Sequence, residues 1–224
     1  MAGLGLMGLF AYCALYYYGL TQLSSQEACI LNYLWPVMLV VFSCIILKEK
    51  MTIMKGIAML FSFLGIIILS TGSIGFSDSN ALLGCVSCII AAACYGLFSV
   101  LNKKLDYDQN IAMMIMWLVA AICSAGLGFF IEDWVPVKGM MWLGFIWLGV
   151  AVNAVAYLLW ALALQGIENT AKIANLAYLT PFLSLLVSAI VLKEQIQIRA
   201  FVALAFIVGG ILNQSFYENI RSKV

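Results

Sequence analysis

Apolar runs, each close to the ~20 residues a helix needs to cross a bilayer, follow one another along the whole chain with only short polar breaks between them. Eight are found, at about 3–22, 25–47, 52–72, 81–102, 109–131, 140–165, 169–192 and 198–217. The breaks read TQLSSQE, KEKM, GSIGFSDSN, KKLDYDQ, EDWVPVKG, QGIEN and KEQIQ. Inside lipid every backbone N–H and C=O must be satisfied within the segment, so such runs are read as helices. Only 9% of residues are charged and 65% are hydrophobic, against about a quarter charged in a soluble domain. The predicted fold class is therefore an all-α integral membrane protein with eight transmembrane helices. No polar stretch is long enough for a soluble domain. The apolar run from Gly3 lacks the charged start of a cleavable signal and simply becomes the first helix. With a net charge of +1 nothing points to nucleic acid; the partners implied are the lipid bilayer and a small-molecule substrate.

Lysine and arginine orient the helices. The side that receives the N-terminus also receives Lys48, Lys50, Lys55, Lys103, Lys104, Lys172, Arg221 and Lys223, whereas Lys138, Lys193 and Arg199 fall on the other. The positive-inside rule then puts both termini in the cytoplasm of a protein of the cell (plasma) membrane.

The chain also resembles itself at an offset of 145 residues. NYLWPVMLVVFSCIILKE (32–49) lies over AYLTPFLSLLVSAIVLKE (177–194), and the register runs from Tyr12/Tyr157 through Tyr33/Tyr178, Pro36/Pro181 and Glu49/Glu194 to Phe61/Phe206 and Gly65/Gly210. Matching helices are five apart, an odd number, so the two copies cross the membrane in opposite directions. Inverted repeats mark secondary transporters, whose substrate sites lie near the midplane where the repeats meet. Helices at 81–131 precede the second copy and nothing matching precedes the first. The chain thus reads as an N-terminally truncated version of a ten-helix 5+5 inverted-repeat transporter, or as a shortened relative of one.

The paired strings Tyr33-Leu-Trp-Pro36 with Leu47-Lys-Glu49, and Tyr178-Leu-Thr-Pro181 with Leu192-Lys-Glu194, each followed by a helix carrying Gly65 or Gly210, resemble the drug/metabolite transporter superfamily and, within it, the EamA family. The NYLWP string at 32–36 is similar to the branch that contains aromatic amino acid exporters. The resemblance spans the chain and implies ten helices, a central cavity and export of small metabolites. It divides the chain into 1–75, the last three helices of the first EamA repeat, 80–217, a complete second repeat, and 218–224, a cytoplasmic tail. On this reading the chain departs from the family in lacking the first two helices, which the resemblance implies help to line the cavity.

Several residue types stand out against this apolar background. Pro36 and Pro181 are expected near the middle of their helices, where a missing N–H frees the carbonyls of Asn32 and Ala177; matching places in both copies suggest hinges, with a packing kink as the plain alternative. Asn32, Asn153 and Asn175 are intramembrane amides, any one of which is explained as helix–helix glue. Among the aromatics, Trp134 is expected at the interface and Trp117 and Trp142 at lipid. Asn32 and Trp35 are three apart and share a helix face, as do Tyr157 with Trp160 and Asn175 with Tyr178. The expectation is that Asn32, Tyr33, Trp35, Tyr157, Trp160, Asn175 and Tyr178 converge on one substrate cavity, with Tyr95 nearby, although packing explains any one of them equally well. The Lys-Glu pairs at 48–49 and 193–194 are expected only to fix helix depth.

The chain has no histidine and no charged residue near a helix centre. Neither a catalytic pair nor a cofactor is therefore expected. Cys85 and Cys88 have metal-ligand spacing but no second pair, and all seven cysteines fall inside apolar runs, where they read as small packing residues. The reading is a secondary transporter of small metabolites such as amino acids; a non-transporting membrane scaffold or assembly partner, or an integral membrane transferase, are its rivals.

Overall fold

The computed structural model describes residues 1–23, 28, 31–50, 52–70, 79–131 and 136–180, with the single positions 183, 202, 205, 206 and 209. Among the described residues there are helices and no strands. They are α1 (Ala2–Gln22), α2 (Trp35–Ile46), α3 (Ile53–Ser70), α4 (Ser79–Lys104), α5 (Gln109–Ile131), α6 (Met141–Gln165) and α7 (Thr170–Ala177). Four of these, α1, α4, α5 and α6, are long and apolar enough to cross a membrane. The expected helix at 198–217 and most of 180–192 lie outside the described residues.

Local chemistry explains the boundaries. The Asp108 carboxylate accepts the backbone N–H groups of Asn110 and Ile111 at 2.9 and 3.1 Å and so starts α5. Lys103 and Lys104 occupy the last turn of α4, where cations suit the helix dipole. After α2 the chain turns through Lys48 at φ 56°, and the Leu47 and Glu49 N–H groups both return to the Ser43 carbonyl. Lysine here takes the left-handed position just past the helix end that is usually given to glycine. Within α1 and α6 the backbone widens to π-helix over Gly5–Ala11 and Trp147–Val155.

The run at 25–47 is not one continuous helix. It breaks in a turn at 33–34 and resumes at Trp35, so Pro36 sits in the first turn of α2 rather than mid-helix. Proline is at home there, because a first-turn N–H has no helical partner to lose. The second copy does the same: α7 ends at Ala177, the chain turns at 178–179, and helix resumes at 180. The hydrogen bonds correspond one for one. Leu34 N–H to Leu31 C=O is matched by Leu179 to Leu176, and Met38 to Leu34 by Leu183 to Leu179. Pro181 itself lies outside the described residues.

Helix α4 is the centre of the packing and touches α1, α2 and α6, while α5 lies against α1, and α7 against α2. Gly96 allows a close approach: a Cβ there would stand 2.8 Å from the Leu39 backbone nitrogen on α2. Outward faces stay apolar, with Phe130 85% and Trp147 67% exposed, as suits contact with lipid rather than water.

Candidate functional site

The centre of the bundle is a set of aromatic rings. Tyr95 on α4, only 7% exposed, meets Tyr12 of α1 at a centroid distance of 5.0 Å, Trp35 of α2 at 5.1 Å and Tyr157 of α6 at 5.5 Å. Trp35 and Trp160 meet edge to face at 5.0 Å. Such tilted and edge-on contacts are the favoured aromatic geometries. Tyr12 and Tyr157, which match at the 145-residue offset, therefore flank the same ring.

Polar tips ring this cluster. Asn32 donates from Nδ2 to the Tyr12 hydroxyl at 3.1 Å, while its Oδ1 is buried with no partner. Trp160 Nε1 donates to Ser99 Oγ at 3.3 Å. Trp117, expected at lipid, instead packs edge-on against Tyr157 at 5.3 Å with its indole N–H buried and unmatched. A buried donor or acceptor without a partner costs about 1–3 kcal/mol, so these two atoms are places where a polar ligand group would be accommodated.

Of the residues singled out in the sequence, the structure brings Asn32, Trp35, Tyr95, Tyr157 and Trp160 together. Tyr33 and Tyr178 are separate: Tyr178 is fully buried and packs with Tyr33, Val37, Phe63 and Ile67. The Asn175 side chain lies outside the described residues. Tyr12 was legible only as a repeat mate of Tyr157. Trp142 is 57% exposed. A groove of about 530 Å³ opens between α1 and α5, lined by Tyr17, Tyr18, Thr21 and Ser124 among others, to one side of the ring cluster.

A second polar assembly stands where α2 and α4 end and α7 begins. Lys103 Nζ lies 3.0 Å from Glu49 Oε1, with both side chains 13% exposed. Lys103 also donates to Thr170 Oγ1 at 2.9 Å. The Thr170 backbone N–H donates to Glu49 Oε2 at 3.1 Å, and its hydroxyl donates to Glu49 Oε1. Glu49 is thus more than a boundary charge: it joins three elements. Beside it, Asn102 donates to Gln109 at 3.1 Å and accepts from the Tyr107 hydroxyl, and burial pushes the Tyr107 phenol above its usual range.

Residues 1–71 and 82–214 match the EamA-like transporter family. The chain is 25% identical to the aromatic amino acid exporter YddG of Ancylobacter novellus, over 92% of this chain and 72% of that protein. It is 25% identical to the uncharacterized transporter YvbV of Bacillus subtilis, over 92% of this chain and 68% of the other. It shares its fold with a protein known from a crystal structure, with a TM-score of 0.86 at 23% identity over 96% of this chain and 76% of that one. With its apolar helices and both of its halves matched, the chain is a multi-pass membrane protein that belongs to the EamA-like transporter family.

Proposed function

We propose that this chain is a secondary transporter that exports small metabolites such as amino acids by alternating access between two inverted repeats, each crossing the membrane several times to give eight spans in all. The observation that carries the reading is the ring cluster itself. Tyr12, Asn32 and Trp35 come from the segment 1–71, and Tyr95, Tyr157 and Trp160 from 82–214, so a relative movement of the two halves opens or closes this centre. In the present conformation the rings pack directly on one another, as a closed centre should. An apolar, aromatic pocket with a few polar tips suits an amphipathic solute. Aromatic amino acids are a natural first choice, given the name of the Ancylobacter novellus relative. The turns at 33–34 and 178–179 interrupt helices at matching places in both copies, as discontinuous helices do beside transporter sites, and Pro36 and Pro181 are proposed as the associated hinges. Tyr33, Asn175 and Tyr178 are placed by this proposal on the same substrate path, next to the ring cluster. The majority of basic residues on one side supports a plasma-membrane protein with cytoplasmic termini.

The test is counterflow in proteoliposomes preloaded with unlabelled phenylalanine, tyrosine or tryptophan. Labelled amino acid should accumulate inside, and Trp35→Ala with Trp160→Ala should lower the rate by about tenfold, the equivalent of about 1.4 kcal/mol of ring contact. No accumulation of any amino acid by folded protein would overturn the substrate class.

A further inference from the structure

The assembly around Glu49 joins the two halves of the chain at one end of the bundle. Glu49 belongs to the segment 1–71, whereas Lys103 and Thr170 belong to 82–214. The carboxylate receives the Lys103 ammonium, the Thr170 hydroxyl and the Thr170 backbone N–H, and the last of these is one of the N–H groups that a helix start leaves without a partner of its own. The turn through Lys48 returns the Glu49 backbone N–H to the Ser43 carbonyl of α2, so the residue that carries the carboxylate is anchored on the first half of the chain.

One face of α4 connects this assembly to the rings. Tyr95, Ser99 and Lys103 are spaced four apart and fall on a single stripe. Tyr95 is the hub of the ring cluster, Ser99 accepts the Trp160 indole N–H, and Lys103 holds Glu49. Lys103 lies about 12 Å beyond Tyr95 along the helix.

We propose that Glu49, Lys103 and Thr170 form a latch that shuts the basic end of the ring cluster against water and opens once in each transport cycle. The proposal rests on the alternating-access reading above. Its physical logic is that a largely buried ion pair cannot be separated part-way. Removing one partner leaves an uncompensated charge unless water enters to solvate it. Separation of the halves at this end and entry of water are therefore one event, and the latch has two states, paired and dry or parted and wet. Such bistability is what a gate needs. The three contacts to one carboxylate favour the paired state, and solvation of both charges favours the open one.

The test measures water access without needing a substrate. In a cysteine-free background, Ser99→Cys places one thiol between latch and rings. A charged, membrane-impermeant thiol reagent is applied to the basic end of protein in vesicles. The thiol should react slowly in the otherwise unaltered chain and about tenfold faster with Glu49→Gln or Lys103→Met, the shift expected from losing one partner of the pair. Thr170→Val keeps the ion pair and removes only the hydroxyl bridge, a milder change that leaves no buried charge unpaired; it should still raise the rate about threefold. Unchanged rates in the folded variants would overturn the latch whether or not the protein transports. Faster labelling in a chain that shows no amino acid counterflow would leave the latch in place and overturn the substrate class instead.

Discussion

Phe61 and Phe206 stack on one another with ring centroids 5.8 Å apart and planes within 25° of parallel. They are also the same position in the two copies of the internal repeat, 145 residues apart. A residue can touch its own counterpart only near the axis that relates the copies. Tyr178 packs against Tyr33, its own counterpart, and so marks a second point of the same kind. The two pairs together mark where the two copies of the repeat touch at matching positions.

This geometry predicts energetic coupling between repeat mates. Phe61→Ala and Phe206→Ala, made singly and together, should show an interaction energy of about 0.5–1.5 kcal/mol in unfolding from detergent. Strictly additive losses would mean that the rings meet without stabilising the interface.

Asn32 separates a binding role from a packing role. An interhelical side-chain hydrogen bond in a membrane protein contributes about 0.6 kcal/mol on average, and Asn32 makes one, to Tyr12. Asn32→Ala should therefore shift thermal unfolding little while reducing amino acid counterflow about tenfold, because the buried Oδ1 is proposed to face the substrate. A variant that loses stability and keeps full flux would identify the amide as glue.

Pro36 sits in the first turn of α2, where its ring costs the helix no hydrogen bond. Pro36→Ala restores an N–H next to the turn at 33–34 and lets helix propagate across it. Counterflow should slow several-fold, with substrate affinity and unfolding temperature nearly unchanged. Equal rates in variant and parent would make the proline a packing feature.

Sidedness is testable at α5, a helix long and apolar enough to cross the membrane. Cysteines placed at Asp106 and at Lys138, each alone in a cysteine-free background, should react with an impermeant thiol reagent from opposite sides, Asp106 from the cytoplasm. Labelling of both from outside would reverse or abolish the proposed orientation.

Residue order alone determined the solvent, the helical class and the family. Backbone groups in lipid leave helices as the economical structure, so hydropathy and spacing suffice, and the repeated YxxP and LKE strings carried the kinship. Helical periodicity also sufficed to place Tyr157 with Trp160 on one face of α6, whereas Asn32 and Trp35 reach the cluster around Tyr95 from either side of a turn. Adjacency along the chain did not reveal that Tyr33 and Trp35 have different neighbours. Residues two apart do not share a helix face, and the turn at 33–34 sends Tyr33 toward Tyr178 while Trp35 turns to Tyr95. The helix break itself escaped the sequence, because an apolar run reads the same whether or not it is interrupted, and a proline marks a first turn as readily as a kink. What only the tertiary structure decided were the partners of groups far apart in sequence. Trp117 looked outward on hydropathy and lies on Tyr157. Glu49 looked like a boundary charge until the fold brought it to Lys103 and to Thr170, 54 and 121 residues further along the chain. The charge of a carboxylate is written in its residue type, but whether it is solvated or paired depends on which helix ends converge on it, and that is set by packing across the two halves rather than by any local pattern.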